Sequence, residues 1–483
     1  MRLRLMPLML LPLLAGCALG PTVPKPDLHT PAAFEAPTDI TQPGAPLDQW
    51  WTAYNDPQLE SLIEQALINA PDARSARARL QEAIATRAGA LAGYGPQGAL
   101  QGSATETYTN VIQGPRPIVI APGVPPISFT NAGTTQNYLA NFDVSWEIDI
   151  FGRQHAARGK ANADLAAARL DNEATRTELE ASVADQLFQA RGLAIQLDDA
   201  REANKIDAEL ADISRKKADH GLGSSADAAQ AAAQAAQSAA EATDLEGQLH
   251  AARRTLLVLV GKGVDPLANL PAAADAGTPP NIPATVPSQL LARRPDVREA
   301  AQKIRSATGQ LKLDELALFP KFSLMPGVGL SSQPEFGASL TSDIWSIGFG
   351  LVQPILDLPR LKTVIRVRGA QADEAVIAYE KAVQTAYGES ENALVQLSAD
   401  EARVRILTKG EAEARFAYDA ARKRYAYGID DLTSTLSAER TWRTTRTALT
   451  GAKVQALRRS VTAFKALGGG WTPGPAPTEQ AAR

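Results

Sequence analysis

The chain has 483 residues, 49 of them Lys or Arg against 53 Asp or Glu, and its formal charge of -4 argues against a nucleic-acid partner. A single cysteine leaves no disulfide framework and no thiolate cluster for a metal. Aromatic residues make up only 5% against a hydrophobic fraction of 45%, which suits long, closely packed helices better than a thick globular core.

Residues 1–16 have a secretory signal layout: Arg2 and Arg4, an apolar run from Leu5 to Leu14, then Ala15 and Gly16. The run is too short to span a bilayer as a helix. Leu14-Ala15-Gly16-Cys17 resembles the lipobox of bacterial lipoproteins, in which the cysteine thiol is acylated and the chain is cut just before it. That resemblance implies a covalent diacylglycerol and an N-acyl lipid on Cys17, two or three acyl chains, and no other cofactor. Ala18, where an aspartate would retain a lipoprotein, implies passage to the outer membrane. The alternative is an ordinary signal peptide with a coincidental cysteine. Loss of the leader removes two arginines and no acid, and residues 17–48 follow as an extended, lipidated segment.

Beyond residue 48 the chain says the same thing twice. Pro71-Asp72-Ala73-Arg74 is answered by Pro295-Asp296-Val297-Arg298, 224 residues on. Ile148-Asp149-Ile150-Phe151-Gly152-Arg153 is answered by Ile355-Leu356-Asp357-Leu358-Pro359-Arg360, 207 on, and His220-Gly221-Leu222 by Tyr427-Gly428-Ile429, again 207 on. The offset changes once, across a loop holding Pro115, Pro117, Pro122, Pro125 and Pro126, where an insertion is tolerated. This predicts a tandem duplication: a first repeat over 49–270, a Pro/Ala-rich linker over 271–284, a second repeat over 285–467 and a flexible tail over 468–483 that starts at Gly468-Gly469-Gly470.

In the first repeat, short helices precede a strand pair at 97–110 and 137–150, a long helix at 154–219 and a helix at 224–260. The second repeat sets a helix at 295–318, strands at 321–331 and 343–354, a long helix at 361–427 and a helix at 429–467. At ~1.5 Å per residue each long helix reaches roughly 100 Å. Leu179, Val183, Leu187, Ala190, Ala194 and Leu197 recur in steps of three and four, a coiled-coil-like seam. The alanine-rich stretch from Ala226 to Ala242 reads as a helix face open to close approach, or as mere low complexity.

The strands carry a different period. Tyr138, Ala140, Phe142, Val144, Trp146, Ile148 and Ile150 alternate with polar residues, and Trp345, Ile347, Phe349 and Leu351 alternate with Ser346, Gly348 and Gly350. Such strands show one face to hydrocarbon or core and one to water, which predicts Trp146, Trp345 and Phe349 as membrane-facing. Four strands cannot close a barrel, and an open edge in lipid leaves backbone groups unpaired. Three copies would supply twelve strands. A soluble sandwich on a coiled-coil rod is the alternative, but it leaves the lipid anchor and the tryptophan belt unexplained.

The Cys17 lipobox, Trp50-Trp51 with Asp56-Pro57-Gln58-Leu59, Trp146 through Arg153, Leu291-Ala292-Arg293-Arg294-Pro295-Asp296-Val297-Arg298 and Arg424-Tyr425 with Gly428 resemble the TolC-type outer-membrane efflux channels, in particular the lipoprotein branch of OprM and NodT. The resemblance runs from about Gln49 to Leu467. It implies an α+β membrane protein that forms a homotrimer, with a 12-stranded outer-membrane β-barrel (four strands per protomer) continuous with a long periplasmic α-helical barrel. It further implies a passive, non-enzymatic exit duct for small molecules such as drugs. Its partners would be outer-membrane lipid, a periplasmic adaptor (membrane fusion) protein and an inner-membrane resistance-nodulation-division pump.

By the same resemblance the helix tips at Gly221, Leu222, Gly223, Gly428 and Ile429 dock the adaptor, and the aperture lies just beyond. The family commonly places a Leu five residues and an Asp nine residues past the second glycine. This chain has Thr433 and Ser437 there, with Asp430, Asp431 and Glu439 close by as candidate substitutes for the missing acid. Asp430 and Asp431 read equally well as solvated acids suited to a helix start. The four histidines, His29, His155, His220 and His250, are scattered, and no metal-ligand spacing or nucleophile pattern occurs. A lipid-anchored scaffold without a pore, or a duct for metal or protein export, remains as the other reading.

Overall fold

The computed structural model describes residues 22–29, 31–36, 41–42, 47–112, 123, 133–271, 273–283, 287–335 and 338–470. Cys17 lies outside the described residues. In chain order the elements are β1 (Thr41–Gln42), α1 (Pro57–Asn69), α2 (Pro71–Ala92), β2 (Gln97–Thr109), β3 (Gly133–Ile148), α3 (Arg153–Asp219), α4 (Ser225–Leu259), β4 (Ile282–Pro283), α5 (Pro287–Arg293), α6 (Pro295–Leu316), β5 (Lys321–Glu335), β6 (Ala338–Val352), α7 (Leu358–Ala426) and α8 (Leu432–Ala466). The run β2-β3-α3-α4 is matched by β5-β6-α7-α8, with α4 and α8 both 35 residues long. The strands extend beyond the expected 321–331 and start before 343, because Gln333 and Pro334 continue the ladder opposite Leu340 and Ser339.

The chain divides into two units, 84–164 with 304–374, and 25–83 with 165–303 and 375–483. The first holds one antiparallel sheet in the order β2-β3-β5-β6. Its register lines up Leu100, Phe142, Val328 and Trp345 in one row, and Trp146, Leu324 and Phe349 in another. Because alternate residues point to opposite sides, these rows share one apolar face. The other face carries Asn141, Asp143, Ser323 and Ser346 packed over glycines: a Cβ on Gly327 would stand 2.7 Å from the Asp143 carboxylate, and one on Gly350 2.6 Å from the Ser323 hydroxyl. At the foot of β3, Asp149 accepts from the Arg153 and Gln154 amides at 2.7 and 3.0 Å, which starts α3. Arg153 in turn bonds Glu147 at 3.2 Å and the Leu316 carbonyl at 2.9 Å.

The second unit is helical around a buried aromatic cluster. Trp50 stacks on Phe464, and Tyr54 packs against Phe188, with Leu59, Ile63, Leu187, Leu397 and Leu457 closing the core. Gly468, Gly469 and Gly470 belong to this core and correct the expectation of a tail beginning at residue 468. The Gly469 amide bonds the Phe464 carbonyl and the Gly470 amide bonds that of Leu47, both at 2.9 Å, an approach that side chains would block. Among the described residues no helix is long and apolar enough to cross a membrane.

Arg294 is buried and ties the start of α6 to the helices, donating to Asp296 and Glu389 at 2.7 Å and to the Ala466 carbonyl at 3.2 Å. Asp56 caps α1 through the Gln58 and Leu59 amides and pairs with Arg191. Burial opposes its charge, but Arg191 and the two amides outweigh that and hold the carboxyl below its ordinary range. A depressed carboxylate stabilises the fold above its ordinary pKa, and that contribution is lost as pH falls through the lowered value. Asp56→Ala removes the cap and strands a buried guanidinium, so it should cost on the order of 3 kcal/mol and lower the thermal midpoint of the detergent-solubilised protein at pH 7.

Candidate functional site

The ends of α3 and α7 are built alike. Gly221 has φ +69° and Gly428 φ +72°, values costly for any residue with a Cβ. At each, two amides turn back to terminate the helix: Leu222 to Lys217 and Gly221 to Ala218, Ile429 to Arg424 and Gly428 to Tyr425. Three residues past each glycine a cap starts the returning helix, Ser224 accepting from Ala226 at 3.1 Å and Asp431 from Ser434 at 2.8 Å. Lys217 lies 4.2 Å from the Tyr425 ring centroid, so the two long helices meet at their ends. Leu222, Tyr427 and Ile429 are exposed there, and Gly223 sits against Lys217.

The other tip residues separate by role. Asp430 pairs with Arg424 at 2.9 Å, and Asp431 is the cap of α8, its carboxyl held below the usual range by Ser434. Thr433 and Ser437 are exposed and line a cavity of about 670 Å³ between α3, α4 and α8. Glu439 differs from them in burial. It is only 2% exposed and sits within the helix packing, at the wall of the same cavity as Thr433 and Ser437.

Glu439 is buried because it stands on the packing seam of α8, which runs Leu432, Thr435, Glu439, Trp442 in steps of three and four. A matching seam on α3 runs Ala200, Ala203, Asp207, Leu210, Ser214. Asp207 is 1% exposed and pairs with Arg443 at 3.1 Å, while Arg443 also reaches Glu241 on α4 at 3.4 Å. Trp442 stacks on Tyr418 of α7, with rings 5.2 Å apart and 6° from parallel, and donates to Glu411 at 2.8 Å. Burial, then the Asp207 charge, push the Glu439 carboxyl up to about 7 against the pull of Arg443. Burial likewise pushes the Tyr418 phenol up to about 12. Asp207, Arg443, Trp442 and Tyr418 were missed from sequence. The available signal was an acid standing where each seam calls for an apolar residue.

On the sheet, Trp345 and Phe349 are 78% and 77% exposed and Trp146 is 43% exposed, all on the apolar face. Among the described residues no group of three His, Cys, Asp or Glu side chains is placed to hold a metal.

The model of the outer membrane efflux protein family matches residues 62–262 and 286–469. The pyoverdine export outer membrane protein OpmQ of Pseudomonas putida is 29% identical over 467 residues, 96% of this chain and 97% of that protein. The solved outer-membrane channel OprN is 28% identical with a TM-score of 0.79, across 94% of this chain and all of that one. The CmeC outer membrane channel of Campylobacter jejuni, at 20% identity, shares the fold with a TM-score of 0.84 over 95% of this chain and 96% of its own.

Cap and aperture roles for Asp431 make different demands. Asp431→Ala should speed hydrogen exchange of the Ser434 amide, read by mass spectrometry, since that amide loses its acceptor. Unchanged protection would remove the capping role.

Proposed function

The chain belongs to the outer membrane efflux protein family, and from that premise we propose that it is the exit duct of a tripartite efflux pump, conducting small molecules passively from a periplasmic adaptor and an inner-membrane resistance-nodulation-division pump to the exterior. The observation that carries this is the sheet. Its apolar face is exposed or half-buried throughout, and among the described residues β2 and β6 each have one hydrogen-bonded neighbour, leaving one edge of each open. Three copies joined edge to edge make a closed wall of twelve strands with the apolar rows in lipid and the Asn141, Asp143 and Ser346 face toward water.

In this reading the acylated Cys17 anchors each protomer and the helices form the periplasmic tunnel. The exposed tips at Gly221, Leu222, Gly223, Gly428 and Ile429 meet the adaptor, and Asp430, Asp431, Thr433 and Ser437 lie at the aperture. The chemistry of a duct is geometry and charge rather than catalysis. A pyoverdine exporter and a toluene efflux protein among the relatives favour a small organic cargo, and a cation efflux protein among them keeps metal export as the second reading.

Planar-bilayer recording of the purified protein tests the proposal. A trimer that conducts supports it, and a folded oligomer that never conducts is a scaffold. The lipid face gives a sharper prediction. Trp345→Arg places a charge in hydrocarbon, costs about 2–4 kcal/mol per copy near the midplane and should deplete the protein from outer-membrane fractions, whereas Ser346→Arg, on the opposite face, should insert normally.

A further inference from the structure

Helix α8 of the second half is held against α3 of the first by an antiparallel ladder of ion pairs. From the far end toward the tip the rungs are Lys465 with Glu178, Arg458 with Asp185 at 2.6 Å, Arg446 with Asp199 at 2.5 Å and Arg443 with Asp207 at 3.1 Å. Burial rises along the ladder, from side chains 42% and 59% exposed at the first rung to 20% and 0% at the last. Exposed rungs contribute little because water screens them. At the far end Val454, Leu457 and Val461 pack α8 on α3, whereas toward the tip the docking involves the buried rung.

At that end the charges do not balance. Glu439 is the sole acid on α8 and it faces Asp207. Glu439 Oε1 and Asp207 Oδ1 are both buried without a hydrogen-bond partner. Arg443 pairs with both Asp207 and Glu241, and its charge also acts on Glu439, which makes no ion pair of its own with it. Of the other groups facing the cluster, α7 contributes Tyr418, Asp419, Arg422 and, through Trp442, Glu411. One proton between Asp207 and Glu439 gives both orphan oxygens a bond and removes one negative charge.

We propose that Glu439, facing Asp207 across the seam, is a proton-binding site joining α8 to α3: its protonated carboxyl donates to Asp207 and holds the tip of α8 docked, and loss of the proton releases it. The ligand is the proton itself. The inference rests on the reading of the chain as a gated duct, to which it adds a regulator. A carboxyl whose pKa is raised in the docked state favours docking fully below its ordinary value of 4.5, and the contribution is lost as pH rises toward about 7. Acid closes, and neutral pH frees, the tip. Asp431, whose carboxyl is held down, titrates below this window.

The test uses the full-length trimer and two readouts. In planar bilayers the open probability of the wild type should rise roughly tenfold between pH 5 and pH 8. In Glu439→Gln, whose amide donates to Asp207 at every pH, it should stay near the wild-type pH 5 value. Independently, a cysteine replacing buried Thr435 on the α8 seam should become more reactive to a maleimide as pH rises, measured relative to a cysteine replacing exposed Thr441. That ratio should be flat in the Glu439→Gln background. A wild-type ratio that does not change with pH, or a variant that keeps the full response, overturns the proton site. A protein that never conducts overturns the duct, while the cysteine ratio still decides the proton site.

Discussion

The requirement that every backbone N–H and C=O in hydrocarbon find a partner governs the proposed barrel. The open edges of β2 and β6 run for 13 and 15 residues. Each unpaired group in lipid costs several kcal/mol, so no amount of apolar side chain on the outer face offsets an open edge. In the proposed barrel, closure by further copies meets that requirement. The other face accommodates it, because glycines at 327, 329 and 350 let Asp143, Asn141, Ser346 and Ser323 lie close against the sheet.

In the helical unit the corresponding constraint is that long helices need a continuous seam. Alanine and leucine at three- and four-residue steps supply close approach on α3, and α8 answers with Leu432, Thr435, Trp442 and Leu449. A polar residue on such a seam weakens packing but fixes which helix faces which. The ion-pair ladder acts in the same sense. Its value lies in register between the two halves of the chain, since only its tipward rungs are dry enough to carry much energy.

The backbone of this fold was open to reading from sequence because its signals are local. Period-two alternation marks β3 and β6, proline-free runs mark α3 and α7, and the glycines at 221 and 428 mark the helix reversals. Strand ends were less legible: Gln333 and Pro334 look like turn residues, yet register with β6 draws them into the ladder. Gly468-Gly469-Gly470 reads as a loose tail for a similar reason, since a run of glycines signals either freedom or close packing, and only the partners, here Leu47 and Phe464, decide. The buried cluster was hidden more deeply. A glutamate seven residues into α8 looks solvated until Asp207, 232 positions earlier, is known to face it.

That cluster also breaks the symmetry of the two halves. The 207-residue offset carries the backbone devices across intact: Gly221 corresponds to Gly428 and the Ser224 cap to the Asp431 cap. It does not carry the charges. The position matching Glu439 is Ala232, that matching Asp207 is Ala414, and those matching Tyr418, Trp442 and Arg443 are Ala211, Ala235 and Ala236. Ala232 and Ala236 are exposed and Ala211, Ala235 and Ala414 half-buried, so these positions carry neither a titratable group nor a large side chain. The charge imbalance therefore belongs to the pairing of α8 with α3 and has no counterpart at the related positions. In the proposed duct the Glu439 cluster gives the tip one element that can respond to charge, where the alanines at the related positions cannot.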